Sequence, residues 1–136
     1  MVVKKYIIPI VLILVIIGFV FFNIPSITTI ENVAKLTELK LPKNARIVKS
    51  DLISAGINPS YLLLIDVKNV NTDNFCETNS FGTDFKAHKI PQDIVDFLSN
   101  RKIEQNFLCI RQAIDEQSFW FAVLLKDSLV LYYVDL

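Results

Sequence analysis

The sequence predicts an α+β protein: an N-terminal single transmembrane helix, then a small domain with an antiparallel sheet of four or five strands and one or two packed helices. Three observations carry this. Tyr6 to Phe22 is an unbroken run without a charged side chain. Ile90 to Asn100 repeats its apolar residues at helical spacing. The last third reads as three runs rich in Phe, Val, Leu, Tyr and Trp, separated by short polar turns.

The apolar run sets the topology. At 1.5 Å per residue, Tyr6 to Ile24 spans roughly 28 Å, close to the ~30 Å hydrocarbon core of a bilayer. A helix is its natural form there, because lipid offers backbone N–H and C=O groups no other partners. With a start near Tyr6, Pro9 falls in the first turn, where its missing N–H costs nothing. A cleaved signal peptide has a shorter apolar region and a small-residue cleavage site; here Asn23-Ile24-Pro25-Ser26 follows the run. A buried core helix of a soluble domain is seldom so uniformly apolar. The run is therefore expected to be an uncleaved signal-anchor. Lys4 and Lys5 precede it, and no Lys or Arg follows until Lys35, so the positive-inside rule keeps the N-terminus cytoplasmic. The expected organisation is a cytoplasmic N-terminus (1–5), a membrane helix (6–24), a juxtamembrane connector (25–43) and an extracytoplasmic domain (44–136). That places the protein in a bacterial inner membrane with its domain in the periplasm or outside the cell.

Beyond the anchor the elements follow in order. Thr28-x-x-Glu31 fits a capping box that starts a helix within Ile24 to Leu41, and Pro42 stops it. Ala45 to Ser50 is a short strand, and Gly56 and Asn58-Pro59 mark a turn. Tyr61 to Val70 opens with a continuous apolar run, the pattern of a strand buried on both faces. Asn71 to Lys89 is polar, with a helical turn expected after Thr72. Ile90 to Asn100 is a helix with Pro91 at its start and Ile94, Phe97 and Leu98 on one face. Phe107 to Ile114, Ser118 to Leu125 and Leu129 to Leu136 form a strand meander. Pairing Leu125 with Val130 puts Phe119, Phe121, Val123, Val130, Tyr132 and Val134 on one face. Trp120, Ala122, Leu124, Leu131, Tyr133 and Asp135 then lie on the other, and both faces need covering.

Composition narrows the function. Of 14 basic residues two precede the anchor, leaving 12 against 14 acidic ones. Such a domain lacks the basic stripe of a nucleic-acid binder, and no nucleic acid is expected as a partner. No N-x-S/T sequon with an allowed middle residue occurs. Cys76 and Cys109 are expected to pair as a disulfide, since an extracytoplasmic compartment is oxidising.

Chemistry-bearing patterns are sparse. His88 lies near Asp84, and Asp66 interrupts an apolar strand, which makes a minor enzymatic reading centred on these three conceivable. There is no nucleophile elbow, no phosphate loop and no metal-ligand spacing. No catalytic, cofactor-binding or metal site is expected, and no cofactor. The leading expectation is a membrane-anchored protein–protein interaction module, either neutralising a toxin or serving as an accessory subunit of an envelope complex. Its candidate interface residues are Trp120, Tyr132 and Tyr133, types enriched at binding hot spots. Its partners are then the bilayer, through Tyr6 to Ile24, and a protein. A binder of a small apolar or lipid ligand, with a cavity between the sheet and Ile90–Asn100, is the alternative.

Overall fold

The computed structural model describes residues 3–22, 27–85 and 89–136. Among these, four helices and five strands follow in the order α1 (Val3–Phe22), α2 (Ile30–Thr37), β1 (Arg46–Ser54), β2 (Ser60–Asp66), α3 (Thr72–Thr78), α4 (Gln92–Asn100), β3 (Cys109–Ile114), β4 (Ser118–Leu124) and β5 (Ser128–Asp135). The strands form one sheet in the order β1-β2-β5-β4-β3. All four neighbouring pairs are antiparallel.

The fold class is therefore α+β with a five-stranded antiparallel sheet, and three layers solve the problem of its two apolar faces. On one face Val33 of α2 and Phe75 of α3 pack with Leu63, Ile65, Trp120 and Leu131. On the other, Ile94, Phe97 and Leu98 of α4 pack with Leu62, Phe121, Val123 and Val130. The continuous apolar run of β2 is the signature of this double coverage: Leu62, Leu63 and Ile65 are all fully buried. The expected one or two packed helices become three. The polar stretch after Val70 folds as α3, with the Asn71 side chain accepting from the Asn74 N–H at 3.0 Å and Phe75 supplying the buried anchor.

The connector also belongs to the packed unit, since Ile27, Val33 and Leu39 are buried in the core. Its helix starts one residue later than the capping box implies. Thr29 is the cap and accepts from the Asn32 N–H at 3.2 Å. It also stops before Pro42, because Glu38 turns into the left-handed region at φ 58°.

Two distant ties fix the layers. The Cys76–Cys109 disulfide joins α3 to the first residue of β3, with Cα atoms 6.3 Å apart. Arg101, at the end of α4, reaches Asp51 of β1 at 2.6 Å while donating to the Phe97 carbonyl at 3.2 Å.

The N-terminal helix departs from expectation in two ways. It begins at Val3, so Pro9 lies inside it rather than in its first turn, and one backbone hydrogen bond is lost there. The last two residues of the expected membrane span, Asn23 and Ile24, lie outside the described residues. Among the described residues, no helix is long and apolar enough to cross a membrane.

Candidate functional site

The three aromatic candidates do not form one patch. Successive side chains on a strand point to opposite faces, so Tyr132 and Tyr133 diverge. Trp120 and Tyr133 are paired neighbours, buried at 3% and 6% exposure on the α2–α3 face. Tyr132 is half-buried on the α4 face. The Arg111 guanidinium lies over the Trp120 ring, 5.2 Å from its centroid, and donates to the Asn79 carbonyl at 2.8 Å. Burial pushes the Tyr133 phenol above its usual range and outweighs its hydrogen bond with Ser118; Asp135 and Asp115 add to the rise.

The enzymatic constellation gains no geometry. His88 lies outside the described residues. Asp66, at the end of β2, accepts from the Lys68 N–H at 3.1 Å and from Arg46 Nε at 3.4 Å; Lys68 Nζ stands 3.7 Å away. Desolvation raises the Asp66 carboxyl, but the Lys68 N–H and ammonium with Arg46 hold it below its ordinary value. These contacts close the strand end. Among the described residues no three His, Cys, Asp or Glu side chains come together to hold a metal ion.

The alternative of a ligand cavity beneath α4 meets a filled layer. Ile94 and Leu98 are fully buried and Phe97 is 3% exposed. A depression of about 250 Å³ does open beside this layer, lined by Ile103, Glu104, Asn106, Leu125, Lys126 and Ser128 among others, and two more lie on the α2–α3 side. One of about 200 Å³ is lined by Lys40, Leu41, Pro42, Val70, Asn74 and Phe75 among others. A second of about 170 Å³ includes Leu36, Glu38, Arg111, Ile114, Asp115 and Trp120.

Asn79 is a buried polar residue to which no sequence pattern points. It is 3% exposed. Its Oδ1 accepts from the Lys40 N–H at 2.7 Å, and its Nδ2 donates to the carbonyls of Lys40 (3.3 Å) and Phe75 (3.1 Å). It stitches the connector to α3 across 39 residues of sequence, a pairing that no local pattern announces.

Exposed apolar surface is the feature that packing leaves unexplained. Every residue from Tyr6 to Ile17 is exposed, so α1 presents aliphatic side chains on all sides. Among the described residues outside α1, five of the eight exposed large apolar side chains, Leu52, Ile53, Ile57, Ile114 and Leu136, concentrate at one end of the sheet. The strand registers put Ser54, Ser60, Val134, Phe119 and Ile114 in a single row at that end. Its two corners differ in charge. The β1–β2 corner carries no charged residue from Leu52 to Ile65. The β3–β5 corner combines Ile114, 75% exposed, with Asp115, Glu116 and Asp135. The Asp115 carboxylate accepts from the N–H groups of Gln117 and Ser118, both at 2.7 Å, and these bonds hold it below its ordinary value.

Comparison with protein-family models, curated proteins and solved structures finds no match to this chain.

Proposed function

We propose that this chain is a membrane-anchored interaction module, held by α1 with its flanking residues and displaying its disulfide-braced domain to another protein of the envelope. The observation that carries the reading is the unbroken aliphatic exposure of α1 from Tyr6 to Ile17. A helix apolar all round belongs in lipid or in a large core. The sequence continues the uncharged run to Phe22, and Lys4 and Lys5 at its start favour a cytoplasmic N-terminus. The Cys76–Cys109 bridge is consistent with an oxidising compartment for the domain.

The surface proposed for the protein partner is the β3–β5 corner. Ile114 and Leu136 supply an apolar centre, and Asp115, Glu116 and Asp135 an acidic rim. This pattern suits a partner with an apolar patch flanked by Lys or Arg. Trp120 and Tyr133 lie beneath and hold this corner rather than touch the partner.

Two measurements in intact cells test the reading. A Lys126→Cys variant is expected to react with a thiol reagent that cannot cross membranes; protection in cells and reaction after lysis overturns the topology. A photo-crosslinking residue at Ile114 is expected to give a discrete adduct that one at Lys49, on β1, does not. No adduct from Ile114 or Leu136 in correctly inserted protein rejects the corner as a binding surface.

A further inference from the structure

We infer that this chain is a partner for itself: the β3–β5 corner of one copy seats Ile114 in the depression between the connector and α3 of the next. The inference rests on the reading of that corner as a binding surface given above, and it names the occupant. That reading calls for a partner with an apolar patch flanked by Lys or Arg, and the chain carries such a patch. The depression of about 200 Å³ is lined by Leu41, Pro42, Val70 and Phe75, with Lys40 and Asn74 beside them. Lys43 follows Pro42 directly, and Lys68 stands two residues before Val70. From Lys40 to Lys49 there are four basic residues and no acidic one. Asp66, the nearest acid on β2, is already held by Arg46 and Lys68, and the acids of α3, Asp73 and Glu77, do not line the depression.

Size and charge match. An apolar cavity of about 150 Å³ holds a benzene molecule, so the depression has room for the side chain of an isoleucine. Ile114 is 75% exposed. Asp115 and Glu116 follow it in sequence, and Asp135 stands opposite Ser118 on β5. A knob with an acidic rim therefore meets a hole with a basic rim. The apolar centre supplies affinity, and the opposed charges set the register. A chain cannot fill its own depression. Ile114 lies in one row with Ser60, whereas Pro42 and Val70 flank the other sheet end, where Arg46 pairs with Asp66. The seven residues of β2 keep these ends about 20 Å apart, beyond the reach of one side chain. Knob and hole are different surfaces, so the contact is heterologous and extends into rows or closes into a ring. Copies anchored side by side in one membrane meet at raised local concentration, which favours such a contact.

The test uses the full chain with two different affinity tags, reconstituted together in phosphatidylcholine vesicles. One copy carries Gln117→Cys beside the knob and the other Asn74→Cys at the depression. Both positions are exposed, and the native cysteines are occupied by their own bridge. Mild oxidation is expected to link the two tags at least about fivefold better than it links Gln117→Cys to Lys49→Cys. Ile114→Asp in the first copy, or Lys40→Glu with Lys43→Glu in the second, is expected to lower the yield by at least about fivefold. A yield equal to that of Lys49→Cys, or one that ignores these substitutions, overturns the proposal. A link between two Gln117→Cys copies that exceeds the mixed one means corner-to-corner pairing and equally overturns it. If linking fails while a photo-crosslinking residue at Ile114 still captures a different protein in cells, the corner stands as a binding surface and only the second copy is lost. If both fail, the corner reading falls and the self-contact with it.

Discussion

Reducing the Cys76–Cys109 disulfide is the most direct probe of what holds the domain together. The bridge closes a loop with a sequence separation of 33. For a loop of that length the chain-entropy relation gives about 12.5 cal/mol/K, or about 3.7 kcal/mol at 25 °C. Domains of this size are stable by roughly 5–15 kcal/mol, so the bridge is a large fraction of the total. At about 4 °C per kcal/mol the expected fall in Tm is about 15 °C. Trp120 is the single tryptophan and is buried, so its emission follows unfolding of the sheet in urea. The assay compares full-length protein in detergent micelles with and without a thiol reductant. Reduction leaves every side chain in place, which isolates the loop-closure effect. Replacing both cysteines by Ala adds a packing loss of about 1 kcal/mol or more, because Cys109 is fully buried. A fully reduced protein that stays within about 1 kcal/mol of the oxidised one refutes the reasoning, and would mean that the unfolded chain is already constrained without the bridge.

Three further outcomes follow from the same geometry. Asn79→Ala leaves the Lys40 N–H and carbonyl without their partner in a part-buried setting, while the Phe75 carbonyl keeps the Asn79 backbone N–H; the cost is about 2 kcal/mol, read as a lowered urea midpoint with unchanged slope. Arg101→Ala removes the Asp51 pair and the stacking on Phe97, whose ring centroid lies 3.8 Å away. Its side chain is 26% exposed and that of Asp51 40%, so solvent screening limits the loss to about 1 kcal/mol, part of it removed by salt in the parent protein. Finally, Asp66 and Asp115 both have folded-state carboxyls held below the ordinary 3.8. The stability they contribute is present above that value and is lost as pH falls through their lower folded values. A Tm profile taken down to about pH 2 should fall more shallowly in Asp115→Asn than in the parent.

The strands β2, β4 and β5 were readable because their apolar runs are long and their turns short. The face partition of β4 and β5 follows from period-two alternation and is what the structure has. The register is two residues tighter, with Leu124 opposite Leu129 and the Leu125 N–H donating to the Ser128 carbonyl at 2.7 Å, since a two-residue loop matches strand twist best. The sequence pattern marks β1 only to Ser50. Its pairing with β2 is irregular around Val48 and Ile53, and such irregularity destroys the alternation that marks a strand. The disulfide was readable from the number of cysteines and the expected compartment. The roles of Asn79, Arg101 and Arg111 were not, because each depends on a partner at least 32 residues away in sequence. Trp120 and Tyr133 are candidate contact residues by type alone, and residue type does not distinguish an interface from a core.

Covering both faces of the sheet has a consequence for where this domain can act. Its faces are occupied by α2 and α3 on one side and α4 on the other. The β3 edge is partly closed, because Gly82 and Ile110 exchange two backbone hydrogen bonds of 2.8 Å. The β1 edge is open along nine residues, but the irregularities at Val48 and Ile53 leave only a short regular stretch between them, a common protection against edge-to-edge pairing. Addition of a foreign strand to either edge is therefore disfavoured. What remains is the sheet end, where strands finish and side chains need not alternate between two packed layers. Ile57 and Ile114 can be exposed there at no cost to the core, and that freedom makes one end of the sheet the place where function and folding compete least.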